Sequence, residues 1–253
     1  MANKTRHQRI LDLLESNTHV RVAELSQHLG VSPATVRRDL DRLQQQGWLQ
    51  RTHGGAVLAE HAAPEPPVVQ RTGENAEEKR RIGKAAAALI HEGDTVFIGS
   101  GTTTLEVARQ LAGRNHITVI TNALTIINTL AQEEGITLLS TGGLLRSSEL
   151  SFIGHISELT LQELRPQKVI MGIRAISLTD GLTNDYVPEV STDRIIIRSA
   201  PEVILVADHS KFGRISTAFV APVAAVHKIV TDSATPPEIL RELRQKDIEV
   251  IVA

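Results

Sequence analysis

Residues 32–43 read Ser-Pro-Ala-Thr-Val-Arg-Arg-Asp-Leu-Asp-Arg-Leu, and this stretch predicts a short amphipathic helix with a clear start. Ser32 is a residue type that caps helices, and Pro33 suits the first turn because its missing N–H has no partner there in any case. Apolar residues recur at i, i+4 and i+7, at Val36, Leu40 and Leu43. The stretch therefore predicts a helix that buries one side and exposes arginines on the other.

The flanking sequence predicts a helix-turn-helix followed by a hairpin. Apolar spacing indicates a first helix over 4–15 and a second helix that stops at Gly30, just before the tight turn into Ser32. Gly47 ends the third helix. Two short β-like runs, 48–51 and 56–58, then flank a Thr-His-Gly-Gly turn signal. This order is typical of a winged helix-turn-helix, whose recognition helix enters the major groove of DNA.

The outward face of the third helix carries residue types that read a DNA groove. The candidate DNA-binding residues are Ser32, Ala34, Thr35, Arg37, Arg38 and Arg42 on this helix, with Arg51 and His53 on the hairpin. The alternative is a small helical subdomain whose arginines are merely solvated. His53 either contacts a phosphate or is simply exposed, and Trp48 is interpreted as a core residue between hairpin and helices.

Charge is unevenly distributed along the 253-residue chain, whose net charge is −2. Residues 1–58 hold eight basic and five acidic side chains, a net charge of +3, so the remainder carries −5. A small basic module joined to a larger acidic one is expected when one part binds phosphates and the other binds a different ligand.

The composition excludes several classes of site. The chain has no cysteine, which removes disulfides, thiolate metal sites and a cysteine nucleophile. It has no His-Glu-x-x-His motif, and we predict neither a metal nor a cofactor. No apolar run reaches the roughly 18 residues of a membrane span, and the polar start leads into no signal-peptide core. We therefore expect a cytoplasmic protein with no membrane partner.

A proline-containing stretch separates two predicted domains. Residues 59–75 include Pro64, Pro66 and Pro67 without apolar periodicity, and predict a semi-rigid linker between a DNA-binding domain at 1–58 and a second domain at 76–253. In the second domain, apolar β-branched runs alternate with helical segments, at 95–98, 117–120, 136–139, 169–171, 203–206, 229–230 and 250–252. This alternation predicts an α/β domain with a mainly parallel sheet, whose ligands bind beyond the carboxyl ends of the strands.

The loop at 99–104 reads Gly-Ser-Gly-Thr-Thr-Thr between a strand and a helix. Free N–H groups, the helix dipole and hydroxyls there favour a bound anion, and the alternative is an ordinary helix cap. The loop fits neither the dinucleotide nor the P-loop motif, which disfavours those nucleotides.

Loops after the other strands add glycines, hydroxyls and cations at the same predicted edge, which favours a small polyol phosphate as the ligand. The candidate effector-binding residues are Ser100, Gly101, Thr102, Thr103, Thr104, Thr121, Asn122, Gly142, Gly143, Arg146, Arg174, Glu189, Asp208 and Lys211. Glu189 and Asp193 share one helix face, where they either reach sugar hydroxyls or are solvated. Asp180, Asn184 and Asp185 either close over the site or form turns.

The two domains together resemble the DeoR family of bacterial transcriptional regulators. The residues that carry the resemblance are Val31–Leu40, Gly47, Arg51–Ala56, Ala207-Asp208, Ser210–Gly213 and Thr231-Asp232. The resemblance implies a repressor that binds double-stranded operator DNA as a homo-oligomer and responds to a phosphorylated sugar. It also implies an effector domain that resembles ribose-5-phosphate isomerase in fold.

The resemblance to the isomerases does not extend to their catalytic residues. Where those enzymes carry a carboxylate-rich stretch, this chain has Met-Gly-Ile-Arg-Ala-Ile at 171–176, so we predict no catalytic residue and no enzyme activity. Arg174 replaces the small or uncharged residue common in the family, and either favours a ligand with extra negative charge or has no ligand role. The alternative function is an active sugar-phosphate isomerase with a DNA-binding module, for which only Asp208 and Glu189 are candidate bases.

Overall fold

The computed structural model describes residues 2–15, 19–45, 49–52, 54–58 and 66–253. The chain folds into two compact units that divide between residues 64 and 65. The predicted boundaries at 58 and 76 stay predictions, although residues 66–75 lie in the second unit. The predicted roles of Gly47, Trp48 and His53, and residues 59–65 of the predicted linker, fall outside the described residues.

The first unit is a winged helix-turn-helix, as predicted. Its elements are α1 (Ala2–Glu15), β1 (Val20–Arg21), α2 (Val22–Leu29), α3 (Pro33–Gln45), β2 (Leu49–Thr52) and β3 (Gly55–Leu58). Gly30 ends α2 in the left-handed conformation, at φ 65°, which glycine adopts without strain. The Ser32 hydroxyl accepts a hydrogen bond from the Thr35 amide at 3.3 Å, which caps α3 as predicted.

The wing is a three-stranded sheet of β1, β3 and β2, and its third strand, β1, was not predicted. Strand β1 pairs antiparallel with β3, with Val20 opposite Ala56. Two residues are too short for a periodic pattern to reveal them. The close approach of the strands also explains Gly55, because a Cβ atom there would lie 2.4 Å from the carbonyl oxygen of Val20.

The core of the first unit is formed by the apolar faces of its helices. Val36, Leu40 and Leu43 of α3 are buried, as their spacing predicted. They pack in one cluster with residues of α1, α2 and the wing, including Ile10 and Leu25. This packing leaves the opposite face of α3 exposed.

One buried carboxylate ties α3 to α1. Asp39 is 2% exposed and accepts hydrogen bonds from Nε of Arg6 at 2.6 Å and Nη2 of Arg6 at 3.0 Å. Nε2 of His7 lies 3.2 Å from the same carboxylate. Burial opposes ionisation of Asp39, but the hydrogen bonds from Arg6 and His7 outweigh it and hold the pKa of this carboxyl below its usual value.

We expect Asp39→Asn to destabilise the first unit by about 2–4 kcal/mol at neutral pH, because it breaks a buried ion pair. Since the folded pKa of Asp39 is lowered, its stabilisation is present above about pH 4 and is lost as the pH falls through the folded value. The variant should therefore lose less stability on acidification than the wild type. Urea unfolding followed by the emission of Trp48, the chain's one tryptophan, measures both.

The matched control is Asp41→Asn, because Asp41 is 59% exposed and pairs with Arg51 at 2.6 Å. An exposed pair of this kind contributes about 0–1 kcal/mol. Equal effects of the two variants would contradict the role given to Asp39.

A seven-stranded parallel sheet forms the centre of the second unit, as predicted. In chain order its strands are β4 (Thr95–Ile98), β5 (Ile117–Thr121), β6 (Ile136–Ser140), β9 (Lys168–Met171), β12 (Glu202–Val206), β14 (Lys228–Thr231) and β15 (Glu249–Val252). Across the sheet they are ordered β15-β14-β12-β9-β4-β5-β6. Each neighbouring pair is parallel, so the carboxyl ends of these strands lie at one edge of the sheet.

The sheet is covered by helices on both faces, as its continuous apolar strands predicted. The helices are α4 (Ala76–Ala87), α5 (Thr102–Arg109), α6 (Leu124–Leu130), α7 (His155–Glu163), α8 (Val187–Arg198) and α9 (Pro237–Gln245). Alternate residues of a strand face opposite sides: Phe97 packs with residues of α7 and α8, whereas Val96 packs with residues of α4, α5 and α6. Among the described residues, no helix is both long and apolar enough to span a bilayer.

The second unit also contains two small antiparallel sheets that were not predicted. One pairs β7 (Leu144–Arg146) with β8 (Ser151–Ile153), and the other orders β10 (Ala175–Ser177), β11 (Gly181–Asn184) and β13 (Ala218–Ala221). Four of these strands have only three or four residues and include polar ones, so they lack the apolar runs that identified the main strands. The fifth, β13, is apolar but has only four residues.

Candidate functional site

A polar cavity lies beyond the carboxyl ends of β4, β9 and β12, the edge at which a parallel sheet binds ligands. Most of the predicted effector-binding residues line it: Ser100, Gly101, Thr102, Thr103, Thr104, Arg146, Arg174, Glu189 and Lys211. Asn184, Asp185 and Asp193, which the sequence related to this site, also line it. Loops far apart in the sequence therefore meet around one space.

The amino end of α5 forms one wall of this cavity. Gly101 precedes the helix with φ 132°, a backbone conformation that residues other than glycine rarely adopt. The Thr104 hydroxyl donates to the Gly101 carbonyl at 3.0 Å and stabilises the loop from within. The first N–H groups of a helix lack intrahelical partners and lie at the positive end of its dipole, so this wall favours an anion.

Another part of the cavity lining is built from arginines paired with carboxylates. Arg146, on β7, forms an ion pair with Glu189 of α8 and lies over the ring of Tyr186, 4.1 Å from its centroid. Oε1 of Glu189 also accepts a hydrogen bond from the hydroxyl of Ser151 at 2.9 Å. Nε of Arg174 lies 3.6 Å from a carboxylate oxygen of Asp185. Both arginines are thus held in place by the protein at the cavity wall.

Asp193 is the cavity carboxylate with the most altered acidity. Burial, reinforced by the negative charge of Glu189, raises the pKa of Asp193 to about 7. The Asn184 amide donates to its Oδ2 at 2.7 Å. A carboxyl with this pKa is partly protonated near neutral pH, and can donate a hydrogen bond as well as accept one.

The remaining predicted effector residues make contacts within the protein instead of lining the cavity: Thr121, Asn122, Gly142, Gly143 and Asp208. The Thr121 hydroxyl donates to the Ile98 carbonyl at 2.6 Å, and the Asn122 amide donates to the Phe152 carbonyl at 3.2 Å. Asp208 accepts from the Asn75 amide at 3.1 Å and from the Ser210 backbone N–H at 2.9 Å. Thr121, Asn122 and Asp208 lie at strand ends, as predicted, but their side chains bond to neighbouring parts of the backbone and loops.

Two charged residues of the cavity lining were not predicted as site residues, Arg71 and Glu149. Arg71 lay in the predicted linker, and Glu149 lies in the turn between the unpredicted strands β7 and β8. They form a buried ion pair across 78 residues of sequence, at 2.6 Å from Nη2 of Arg71 to Oε1 of Glu149. No local spacing signals such a pair. Among the described residues, no cluster of three His, Asp or Glu side chains is arranged to hold a metal ion.

The candidate DNA-binding residues of α3 lie on one exposed surface. Arg37, Arg38 and Arg42 are exposed, as are Ser32 and Ala34, whereas Thr35 is half-buried. Arg51, on β2, is directed to this helix: its Nη1 donates to Asp41 at 2.6 Å and to the Arg37 carbonyl at 3.4 Å. Arg51 thereby joins the wing to the exposed face of α3.

Comparison with known proteins assigns both units to one family. Residues 6–62 match the DeoR-like helix-turn-helix domain, and residues 74–233 match the DeoR C-terminal sensor domain. The chain is 37% identical to the transcriptional repressor AccR of Agrobacterium fabrum, covering 92% of this chain and 91% of AccR. It is 35% identical to a putative aga operon transcriptional repressor of Escherichia coli O157:H7, over 98% and 93% of the two chains.

A third relative is the glycerol-3-phosphate regulon repressor of Escherichia coli K12, 34% identical over 99% of both chains. Among solved structures, ribose 5-phosphate isomerase A of Methanocaldococcus jannaschii aligns with 55% of each chain, at a TM-score of 0.41 and 19% identity. So remote a likeness says nothing about catalysis in this chain, whereas the close relatives are repressors.

Proposed function

Because this chain belongs to the DeoR family of transcriptional regulators, we propose that it represses a sugar-metabolism operon and is controlled by a phosphorylated sugar. The chain is a DNA-binding regulator rather than an enzyme, so the alternative of an active isomerase is not retained. Operator DNA is the partner proposed for the exposed face of α3 and the wing. We propose the cytoplasm as its location.

The cavity supports the proposed effector class. It combines the amino end of α5, which favours an anion, with paired arginines and carboxylates that suit the hydroxyls of a sugar or polyol. The names of two relatives refer to the aga operon and to glycerol 3-phosphate, which is consistent with a small phosphorylated polyol or sugar. The single observation that carries the proposal is this anion-favouring cavity in a chain with a basic recognition helix.

A panel of phosphorylated sugars tests the proposal. A ligand that binds only the native protein raises its free energy of unfolding, by about 2.7 kcal/mol when present at about 100 times its dissociation constant. The increase is seen as a higher melting temperature. The best ligand should then change the affinity for a DNA duplex that the protein has selected from a random pool. Unphosphorylated sugars serve as controls, and a panel in which no compound alters DNA affinity would refute control by a sugar phosphate.

We also propose that the protein acts as a homo-oligomer on repeated half-sites. One short recognition helix reads too few base pairs to specify a site in a genome, and paired helices on half-sites about one or more DNA turns apart solve this problem. We expect light scattering to show a dimer or tetramer and a footprint to cover two half-sites. A monomer at working concentration that protects a single half-site would contradict the prediction.

A further inference from the structure

Arg71 connects the cavity to the chain segment that follows the DNA-binding unit. It lies in a short 3-10 helix, Arg71–Gly73, and is the buried residue of that helix, at 6% exposure. Its Nε donates to the Pro66 carbonyl at 2.8 Å, and its Nη2 donates to both carboxylate oxygens of Glu149. Arg71 therefore holds residues 66–71, just after the division at residues 64 and 65, against the cavity wall.

The turn that carries Glu149 links Arg71 to Arg146, another arginine that lines the cavity. The Val68 amide donates to the Ser148 carbonyl at 2.7 Å, so the segment at 66–74 is bonded to this turn through its backbone as well. The Ser148 hydroxyl accepts a hydrogen bond from Nε of Arg146 at 3.1 Å. Both arginines therefore form hydrogen bonds with the same four-residue turn between β7 and β8.

Two further basic side chains, Lys79 and Lys211, lie near Arg71. Nζ of the buried Lys79 donates to the Arg71 carbonyl at 3.1 Å. Burial lowers the pKa of Lys79, Asp208 opposes this shift, and the positive charges of Lys211 and Arg71 add to it. Lys79 therefore lies within electrostatic reach of both Arg71 and Lys211, and an anion bound beside those two cations would offset their repulsion of Lys79.

The Arg71–Glu149 pair is open to competition because both residues line the cavity. A buried ion pair is held by mutual attraction that must offset the loss of hydration of both charges. A phosphate group carries more negative charge than a carboxylate. Two of its oxygens can accept hydrogen bonds from the Arg71 guanidinium at the same time. The same phosphate is repelled by Glu149.

We infer that Arg71 is a ligand of the effector phosphate, in competition with Glu149, and that this exchange relays occupancy of the cavity to segment 66–74. The inference rests on the proposed function for the identity of the ligand. A relay of this kind requires that the ligand favour one arrangement of the segment over the other, and exchange of Arg71 between two anions supplies that difference. Segment 66–74 leads along the chain to the DNA-binding unit.

The test measures phosphate binding and amide hydrogen exchange, with inorganic phosphate and glycerol 3-phosphate as the probes. In Glu149→Gln the competing charge is removed, and we expect both probes to bind about tenfold more tightly, or ~1.4 kcal/mol. The double variant Arg71→Gln with Glu149→Gln retains a neutral hydrogen-bonding pair, which guards against unfolding. It should bind the probes about tenfold more weakly than Glu149→Gln does.

Saturating probe should change hydrogen exchange at 66–74 in the wild type but not in the double variant. The matched control is Arg80→Gln with Glu77→Gln, an exposed ion pair of the same composition on α4, and it should behave like the wild type. The inference is overturned if exchange at 66–74 is unchanged on saturation of the wild type, if neither probe binds Glu149→Gln, or if the double variant binds as tightly as Glu149→Gln. If exchange responds as expected while DNA affinity does not change, the proposed function fails and the role of Arg71 stands.

Discussion

Replacing Arg37 or Arg38 by alanine is expected to weaken operator binding strongly while leaving the fold intact. Both side chains are exposed on α3, whereas the residues that hold the helix in place, Val36 and Leu40, are buried on its other side. Loss of an arginine that contacts a guanine edge costs about 1–3 kcal/mol and relaxes sequence preference at that position. This cost corresponds to roughly a fivefold to 150-fold loss of affinity.

The salt dependence of binding separates the two kinds of contact. If an arginine contacts a phosphate instead of a base, its loss should weaken binding to all sequences alike and reduce the salt slope by about one unit. Titration of a selected duplex and of a scrambled duplex at several salt concentrations measures both quantities. Arg80→Ala, which removes the same charge from an exposed site in the second unit, is the control. Unchanged binding in both α3 variants would remove α3 from the proposed DNA interface.

Loss of Thr103 and Lys211 together is expected to abolish much of the effector affinity without altering DNA binding in the absence of ligand. Both residues line the cavity, on α5 and in the 3-10 helix after β12. Thr104 is the less informative choice because its fully buried hydroxyl bonds the Gly101 carbonyl, so its removal would disturb the loop itself. Calorimetry with the best phosphorylated sugar should show affinity falling tenfold or more, about 1.4 kcal/mol.

The paired control is Thr160→Ala with Lys246→Ala, which removes the same two residue types from positions outside the cavity lining. It should leave ligand affinity and the DNA response unchanged. A ligand shifts an equilibrium only through its different affinities for the two states. The Thr103 and Lys211 variant should therefore bind DNA normally, but its DNA affinity should no longer change at ligand concentrations that change that of the wild type. Retained ligand affinity would place the effector site elsewhere.

Patterns of burial explain why much of the architecture was predictable. The inner strands of the main sheet are largely buried on both faces and are therefore rich in apolar and β-branched residues, whereas the edge strands β6 and β15 are partly exposed. The observed β4, at Thr95–Ile98, has the predicted limits. Helix limits were predictable where a chemical signal marks them, as at Ser32 and at Gly30, since capping and left-handed backbone depend on the local residue alone. The loop at 99–104 was recognisable for the same reason.

The sequence by itself determined the two-part organisation, the parallel sheet, the recognition helix and the anion-favouring start of α5. These features follow from short-range regularities, namely hydrophobic period, capping chemistry and charge. Only the tertiary structure decided that Arg71 pairs with Glu149, that Asp39 holds α1 against α3, and that Asp208 and Asn122 bond to neighbouring loops. The physical reason is that a buried polar group must find a partner wherever the fold brings one within reach, and sequence distance carries no information about that partner.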